Sequence, residues 1–353
     1  MQKDESCTYF LCNSILFLFH FTTYPDYPQM KKVILIILIC FCIHQINAQT
    51  LKFTFSDSTF LPMKPTGQLH GVSAIEYVSS KKQWHWATDR GAYFVFDSIK
   101  TIRDFEKSEK TVMPKYTNFW FESVRFDQNN GRFFYAIEND YKPIWENTDT
   151  TTYVSYAESY PPKEAYPAYL IAPIPLPADN KGIESMAVTD SGNVWVAPEA
   201  GWAGETEVGK DTIHFLKFIK IDSTYQQPVS YSYVIDRSGC PNSATEKRGG
   251  ISEILSVNEN QLLVLERCFD NGDGGTNKIK AKLWQVTVEG SYLKKDTEPA
   301  FDFNKGLSFQ PDNLEGMAWW PSENGKRKLI LVTDDNPGLK NKQRTQLILL
   351  EEK

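Results

Sequence analysis

One short motif recurs five times along the chain, and this recurrence limits the fold more than any other feature. The copies are Gly71-Val72-Ser73-Ala74-Ile75, Trp120-Phe121-Glu122-Ser123-Val124, Gly182-Ile183-Glu184-Ser185-Met186, Gly250-Ile251-Ser252-Glu253-Ile254 and Asn313-Leu314-Glu315-Gly316-Met317. They start 49, 62, 68 and 63 residues apart. Each is followed, across a polar turn, by a second strand-like run at residues 84–89, 133–138, 194–199, 262–266 and 329–334. Turns such as Asn129-Asn130-Gly131, Ser191-Gly192-Asn193 and Asn324-Gly325 carry hairpin chemistry. Third strands fit 92–96, 214–221, 280–288 and 346–350, and outer strands fit 230–235 and 300–303. Units that cannot bury their faces alone must stack on their neighbours. Four-stranded units at this spacing, with no long amphipathic helix between them, describe an all-β fold, a β-propeller. Five blades are readable, and a degenerate sixth between Glu138 and Ile183 is the alternative. The chain ends on a third strand while residues 51–55 form an unattached one, so the N-terminal strand is expected to complete the last blade and close the ring.

The propeller occupies 49–353, and the chain before it reads as a targeting segment. Met30-Lys31-Lys32 precedes eleven apolar residues, 33–43, and Ala48 precedes a polar start. A basic region, a short apolar run and a small residue describe a secretory signal peptide over 30–48. Eleven residues fall short of the roughly 20 that span a bilayer. Residues 1–29 are expected to be untranslated or an extended basic region. Cleavage after Ala48 removes Cys7, Cys12, Cys40 and Cys42 and leaves Cys240 and Cys268, an even pair expected to be bonded in an oxidising compartment. The expected location is secreted or periplasmic, as a monomer. A net charge of −6, from 38 basic and 44 acidic residues, argues against nucleic acid as a partner.

Aligning the repeats places acids in two columns. The third position of the first strand holds Ser73, Glu122, Glu184, Ser252 and Glu315, and the end of the second strand holds Asp89, Glu138, Glu199, Glu266 and Asp334. In an antiparallel hairpin the start of one strand lies beside the end of the next. Both columns therefore meet at one end of the propeller, as a ring of up to eight carboxylates. Such a ring needs positive charge within it. Carboxylate and carbonyl oxygens suit a hard cation, so Ca²⁺ is the expected cofactor, held by Glu122, Glu184, Glu315, Asp89, Glu138, Glu199, Glu266 and Asp334. Zinc is disfavoured, because His70, His85 and His214 lack ligand spacing. Built-in cations flank the ring: Arg90, Arg267, Lys181, Arg248 and Arg344. Strand-end acids also serve turns and blade contacts in purely structural roles. The run Asp270-Asn271-Gly272-Asp273-Gly274-Gly275 misses EF-hand spacing and reads as a hairpin loop. Ser73 and Ser252 lack a nucleophile-elbow motif. Trp84, Trp86, Trp195, Trp319 and Trp320 read as core, with sugar stacking as the alternative.

The same motifs carry a resemblance. Residues 181–187 and 262–267, the Asn313-Leu314-Glu315-Gly316-Met317-Ala318-Trp319 stretch, Thr333-Asp334-Asp335-Asn336 and Gln343-Arg344-Thr345-Gln346 resemble the phytase-like family, also called esterase-like activity of phytase. The resemblance runs over about 69–350. It implies an exported propeller acting on phosphate or other small-molecule esters with calcium. Three functions follow as expectations. The first is a Ca²⁺-dependent phosphoesterase in which Glu184 and Glu315 act with Arg267 and Arg90 on the phosphoryl group. The second is a Ca²⁺-dependent lactonase or carboxylesterase, and the third a non-catalytic ligand-binding propeller.

Overall fold

The computed structural model describes residues 50–61, 69–108, 110–112, 120–138, 152–157, 169–170, 183–202, 211–222, 224–238, 240, 249–270, 278–321, 325–335 and 343–353. The signal-peptide reading of 30–48, residues 1–29, Lys181, Arg248 and the 271–275 loop lie outside them.

The protein is a five-bladed β-propeller. The N-terminal strand is β1 (Phe53–Phe60). Blade 1 is β2 (Val72–Val78), β3 (Gln83–Thr88), β4 (Tyr93–Asp97) and β5 (Lys110–Val112). Blade 2 is β6 (Trp120–Asp127), β7 (Arg132–Glu138), β8 (Thr152–Ala157) and β9 (Tyr169–Leu170). Blade 3 is β10 (Ile183–Val188), β11 (Val194–Pro198) and β12 (Thr212–Phe218), then, past a small hairpin of β13 (Lys220–Ile221) and β14 (Thr224–Tyr225), β15 (Val229–Val234). Blade 4 is β16 (Gly250–Asn258), β17 (Gln261–Asp270) and β18 (Lys278–Glu289), whose outer edge is shared by β19 (Tyr292–Lys295) and β20 (Phe301–Asp302). Blade 5 is β21 (Asn313–Trp320), β22 (Lys328–Asp334) and β23 (Gln346–Glu352), completed by β1.

As expected, β1 pairs antiparallel with β23 and turns the two chain ends into one blade. This fourth strand covers what would otherwise be an open edge. The sixth-blade alternative is not realised among the described residues, where β8 and β9 pair outward from β7 as the outer half of blade 2. At two of the expected turns, Gly131 and Gly192 take positive φ, +68° and +79°, as hairpin corners require.

The apolar runs of the second and third strands follow from burial on both faces. In β22, Leu329 and Leu331 pack toward blade 4 while Ile330 and Val332 pack toward blade 1. In β17, Leu263 and Leu265 face blade 5 while Leu262 and Val264 face blade 3. Five apolar clusters result, one between each pair of neighbouring blades, and together they close the ring. The inner strands β2, β6, β10, β16 and β21 pack side by side around the central channel. Among the described residues no helix is long and apolar enough to cross a membrane.

The expected disulfide is present: Cys240 and Cys268 are bonded, with Cα atoms 5.8 Å apart. Because Cys240 follows β15 and Cys268 lies in β17, the bond staples blade 3 to blade 4.

Candidate functional site

Every inner strand carries a β-bulge at the same place. The registers shift between Val72 and Ala74, Phe121 and Ser123, Ile183 and Ser185, Ile251 and Glu253, and Leu314 and Gly316. The extra residues are Ser73, Glu122, Glu184, Ser252 and Glu315, the first column of the sequence alignment. A bulge leaves its residue outside the ladder and re-aims the side chain, a device common next to active sites. Here it occurs five times around one mouth of the channel.

The second column needs one correction. Trp120 pairs with Glu138, Gly250 with Arg267 and Asn313 with Asp334, while Asp89 and Glu199 each follow the pair that precedes the bulge. The blade 4 member of this column is therefore Arg267, and Glu266 stands one residue out of register. A one-residue offset sends a strand side chain to the opposite face. Glu266 continues the series Leu262, Val264 toward blade 3, where its carboxylate accepts from the Tyr233 hydroxyl at 2.6 Å, the Asp236 N–H at 3.1 Å and Lys295 Nζ at 2.5 Å. It braces the outer strands and does not join the mouth.

Arg267 instead faces blade 5 and donates to both Asn313 Oδ1 and Glu315 Oε1. Asn313 Nδ2 donates to the same Glu315 oxygen at 2.6 Å. Burial would pull the guanidinium toward neutrality, but Glu315, Glu199 and Glu184 together push its pKa up. Glu315 is pushed up to about 8 by burial, with Asp334 and Glu199 adding to it and Arg267 opposing. The start of β16 packs against the Glu199 backbone, and that contact requires a glycine. A Cβ on Gly250 would stand 2.1 Å from the Glu199 carbonyl oxygen, which accepts from Ile251 N–H at 2.9 Å.

Around the same mouth, His70 Nδ1 is paired with Asp335 Oδ2, and Asp335 Oδ1 accepts from the Gly71 N–H at 3.0 Å. Asp335 is buried and His70 is partly exposed. Asp89 is raised to about 6, by burial first, with Asp335 adding and Arg90 opposing; Arg90, half exposed, lies 3.3 Å from it. Arg344 sits 3.5 Å from Asp312 and over the Phe60 ring. Glu122 is buried in the ring, Glu184 and Glu199 are half-buried, and Glu138 occupies its expected register position. Ser73 donates to the Phe121 carbonyl, an inter-blade bond.

Residues 67–337 match the family described as Phytase-like, esterase-like activity of phytase. The chain belongs to the phytase-like family. No curated protein sequence matches this phytase-like chain. Among solved structures it is similar to a chain of the "Crystal structure of Nidogen/Laminin Complex", at 8% identity and a TM-score of 0.34, covering 80% of this chain and 87% of that one.

Calcium can be tested against the donors of this phytase-like mouth. The oxygens of Glu315, with Glu199 and Glu184 beside them, already face the Arg267 guanidinium. Among the described residues no three His, Cys, Asp or Glu side chains gather into a metal-holding group. The positive charge that the acid ring demands is supplied there by a side chain.

The sequence names His70 only among the histidines without ligand spacing, and Asp335 and Asn313 only within the resemblance motifs, none of them as a site residue. His70 sits directly before the first repeat and Asp335 directly after the last second strand, so only ring closure brings them together. A second unanticipated group plugs the channel itself. Arg125 on β6 is 2% exposed, and all five of its N–H donors are engaged. They go to the carbonyls of Met186 (2.8 Å), Ile75 (3.2 Å), Val124 (2.9 Å) and Ile254 (2.9 Å), on four blades, and to Glu253 Oε2 at 2.7 Å. Burial pushes Glu253 to about 8 despite Arg125.

Proposed function

We propose that this phytase-like propeller hydrolyses a small anionic ester, with a phosphate monoester as the favoured class, at the bulged mouth of its channel. The observation that carries the reading is the buried Arg267–Asn313–Glu315 group at the same mouth as the His70–Asp335 pair. Perturbed carboxyls beside a desolvated cation are the mark of a reactive site. Arg267 holds the anionic oxygens, with Arg90 and Arg344 at the rim to guide the substrate in. Asp335 holds the His70 ring through Nδ1 and fixes its orientation. The His70–Asp335 pair takes up a proton from the attacking water as its oxygen bonds to phosphorus. Glu315, protonated at neutral pH, gives its proton to the leaving alcohol oxygen as the ester bond breaks. One water is consumed, and an alcohol and phosphate are released.

Two parts of the reading rest on other observations. The Cys240–Cys268 bond and the Lys-Lys, apolar-run, Ala48 segment support export to an oxidising compartment. A Ca²⁺-dependent esterase is the second reading, favoured because the acids of the mouth outnumber its cations. The test is hydrolysis of phosphate, carboxylate and lactone esters, with chelator or with Ca²⁺, by wild type and Arg267→Met. Turnover of a phosphate ester in chelator, lost in the variant, supports the proposal. Turnover that requires Ca²⁺ supports the second reading, and binding without turnover leaves a ligand-binding propeller.

A further inference from the structure

The opposite mouth of the channel holds a cup that the proposed reaction does not use. Its volume is about 560 Å³, and residues at the far ends of all five inner strands line it. Arg125 and Glu76 form its floor, and Tyr77, Trp319 and Trp320 are among its walls. The Arg125 plug lies between this cup and the acid ring, so the two mouths are separate chambers.

The chemistry of the cup is one-sided. Arg125 is the cation of the lining, yet its five donors are spent on four carbonyls and Glu253, so no N–H remains for an anionic ligand. Glu76 lies in the cup with a side chain 12% exposed, 3.6 Å from Arg125 and with the Phe126 N–H at 3.4 Å. Burial pushes its carboxyl up to about 7, against the pull of Arg125. Asp190 adds a second acid at the exposed rim. The indole N–H of Trp319 is bonded to the Ser256 carbonyl at 2.9 Å, so Trp319 offers the cup its ring rather than its donor.

We propose that this cup is a second binding site, for a small organic cation such as a primary or quaternary amine. Aromatic faces attract such cations through their quadrupole, and a partly desolvated carboxylate at the base supplies the counter-charge. The amine sits at the aromatic wall of the cup with its charge toward Glu76. This site stands apart from the hydrolytic mouth, so its success or failure is read without any turnover.

The experiment titrates the full chain with choline at pH 8, where Glu76 is ionised, following tryptophan fluorescence, with glucose and acetate as parallel probes. Saturable quenching by choline, weakened about tenfold in Glu76→Gln as one charge-assisted contact is lost, is the expected result. Ser79→Arg, at the exposed rim, places a like charge over the cup and keeps the floor intact. It should melt like wild type and bind choline more weakly, which keeps the test decisive if Glu76→Gln fails to fold. Unchanged choline binding in Ser79→Arg, glucose binding as tight as choline, or no saturable response to choline would each overturn the proposal.

Discussion

Replacing Arg125 with Met tests whether the channel plug holds the blades together. Four backbone carbonyls, on blades 1, 2, 3 and 4, would lose their donor. A net hydrogen bond contributes about 1 kcal/mol, so these bonds alone account for about 4 kcal/mol. Stranding an ionised Glu253 would add several more, but its carboxyl, held near 8, already carries a proton at neutral pH. That limits the extra loss to about 1 kcal/mol at neutral pH, for about 5 kcal/mol in all. In wild type, Glu253→Gln removes a charge-assisted bond worth about 2 kcal/mol. On the Arg125→Met background the same change should be nearly neutral, giving a coupling of about 2 kcal/mol. Urea denaturation of the four proteins measures the cycle. A loss under about 1.5 kcal/mol for Arg125→Met, or strictly additive effects, would refute the reasoning.

The raised carboxyls make stability fall on the alkaline side. Glu253 and Glu315 sit at about 8, Glu76 at about 7 and Asp89 at about 6, so the folded chain holds more protons than the unfolded one between their ordinary values and these. Stability is therefore greatest in mildly acidic solution and drops as pH climbs through 6 to 8; His85, held down at about 3 by burial, opposes this only below its ordinary value of 6.5. A urea midpoint higher at pH 8.5 than at pH 6 would contradict this assignment. Replacing Cys240 and Cys268 together with Ala should lower stability by about 3–4 kcal/mol, the loop-closure value for residues 28 apart, and an unchanged midpoint would show that the bond constrains nothing.

How far the sequence spoke depended on which force set each feature. Apolar periodicity is set by burial on both faces, so runs such as Leu262-Leu263-Val264-Leu265 and Leu329-Ile330-Leu331-Val332 showed the second strands directly. The closing role of β1 followed from counting strands. Register was not legible: Glu266 and Arg267 are neighbours, and only the pairing of Arg267 with Gly250 shows which of them reaches the mouth. The bulges were hidden as well, although the column they re-aim was visible as a repeated Glu or Ser. The third strand of blade 2, β8, escaped notice in a polar, tyrosine-rich segment. Arg125 and Glu253 left a trace that could have been followed, a charge in the middle of an inner strand beyond its Glu or Ser column.

The central claim is that Glu315, kept protonated beside Arg267, delivers a proton at the bulged mouth. The most direct measurement is the turnover of a chromogenic phosphate monoester by wild type and Glu315→Gln, in chelator, across pH 5–9. The account predicts that wild type loses activity as pH rises past about 8, where Glu315 gives up its proton. It predicts that the Gln variant, which keeps the shape and the bond to Asn313, folds normally yet turns over about 10²–10⁴-fold more slowly. A Glu315→Gln enzyme with wild-type turnover and an unchanged pH profile would contradict it.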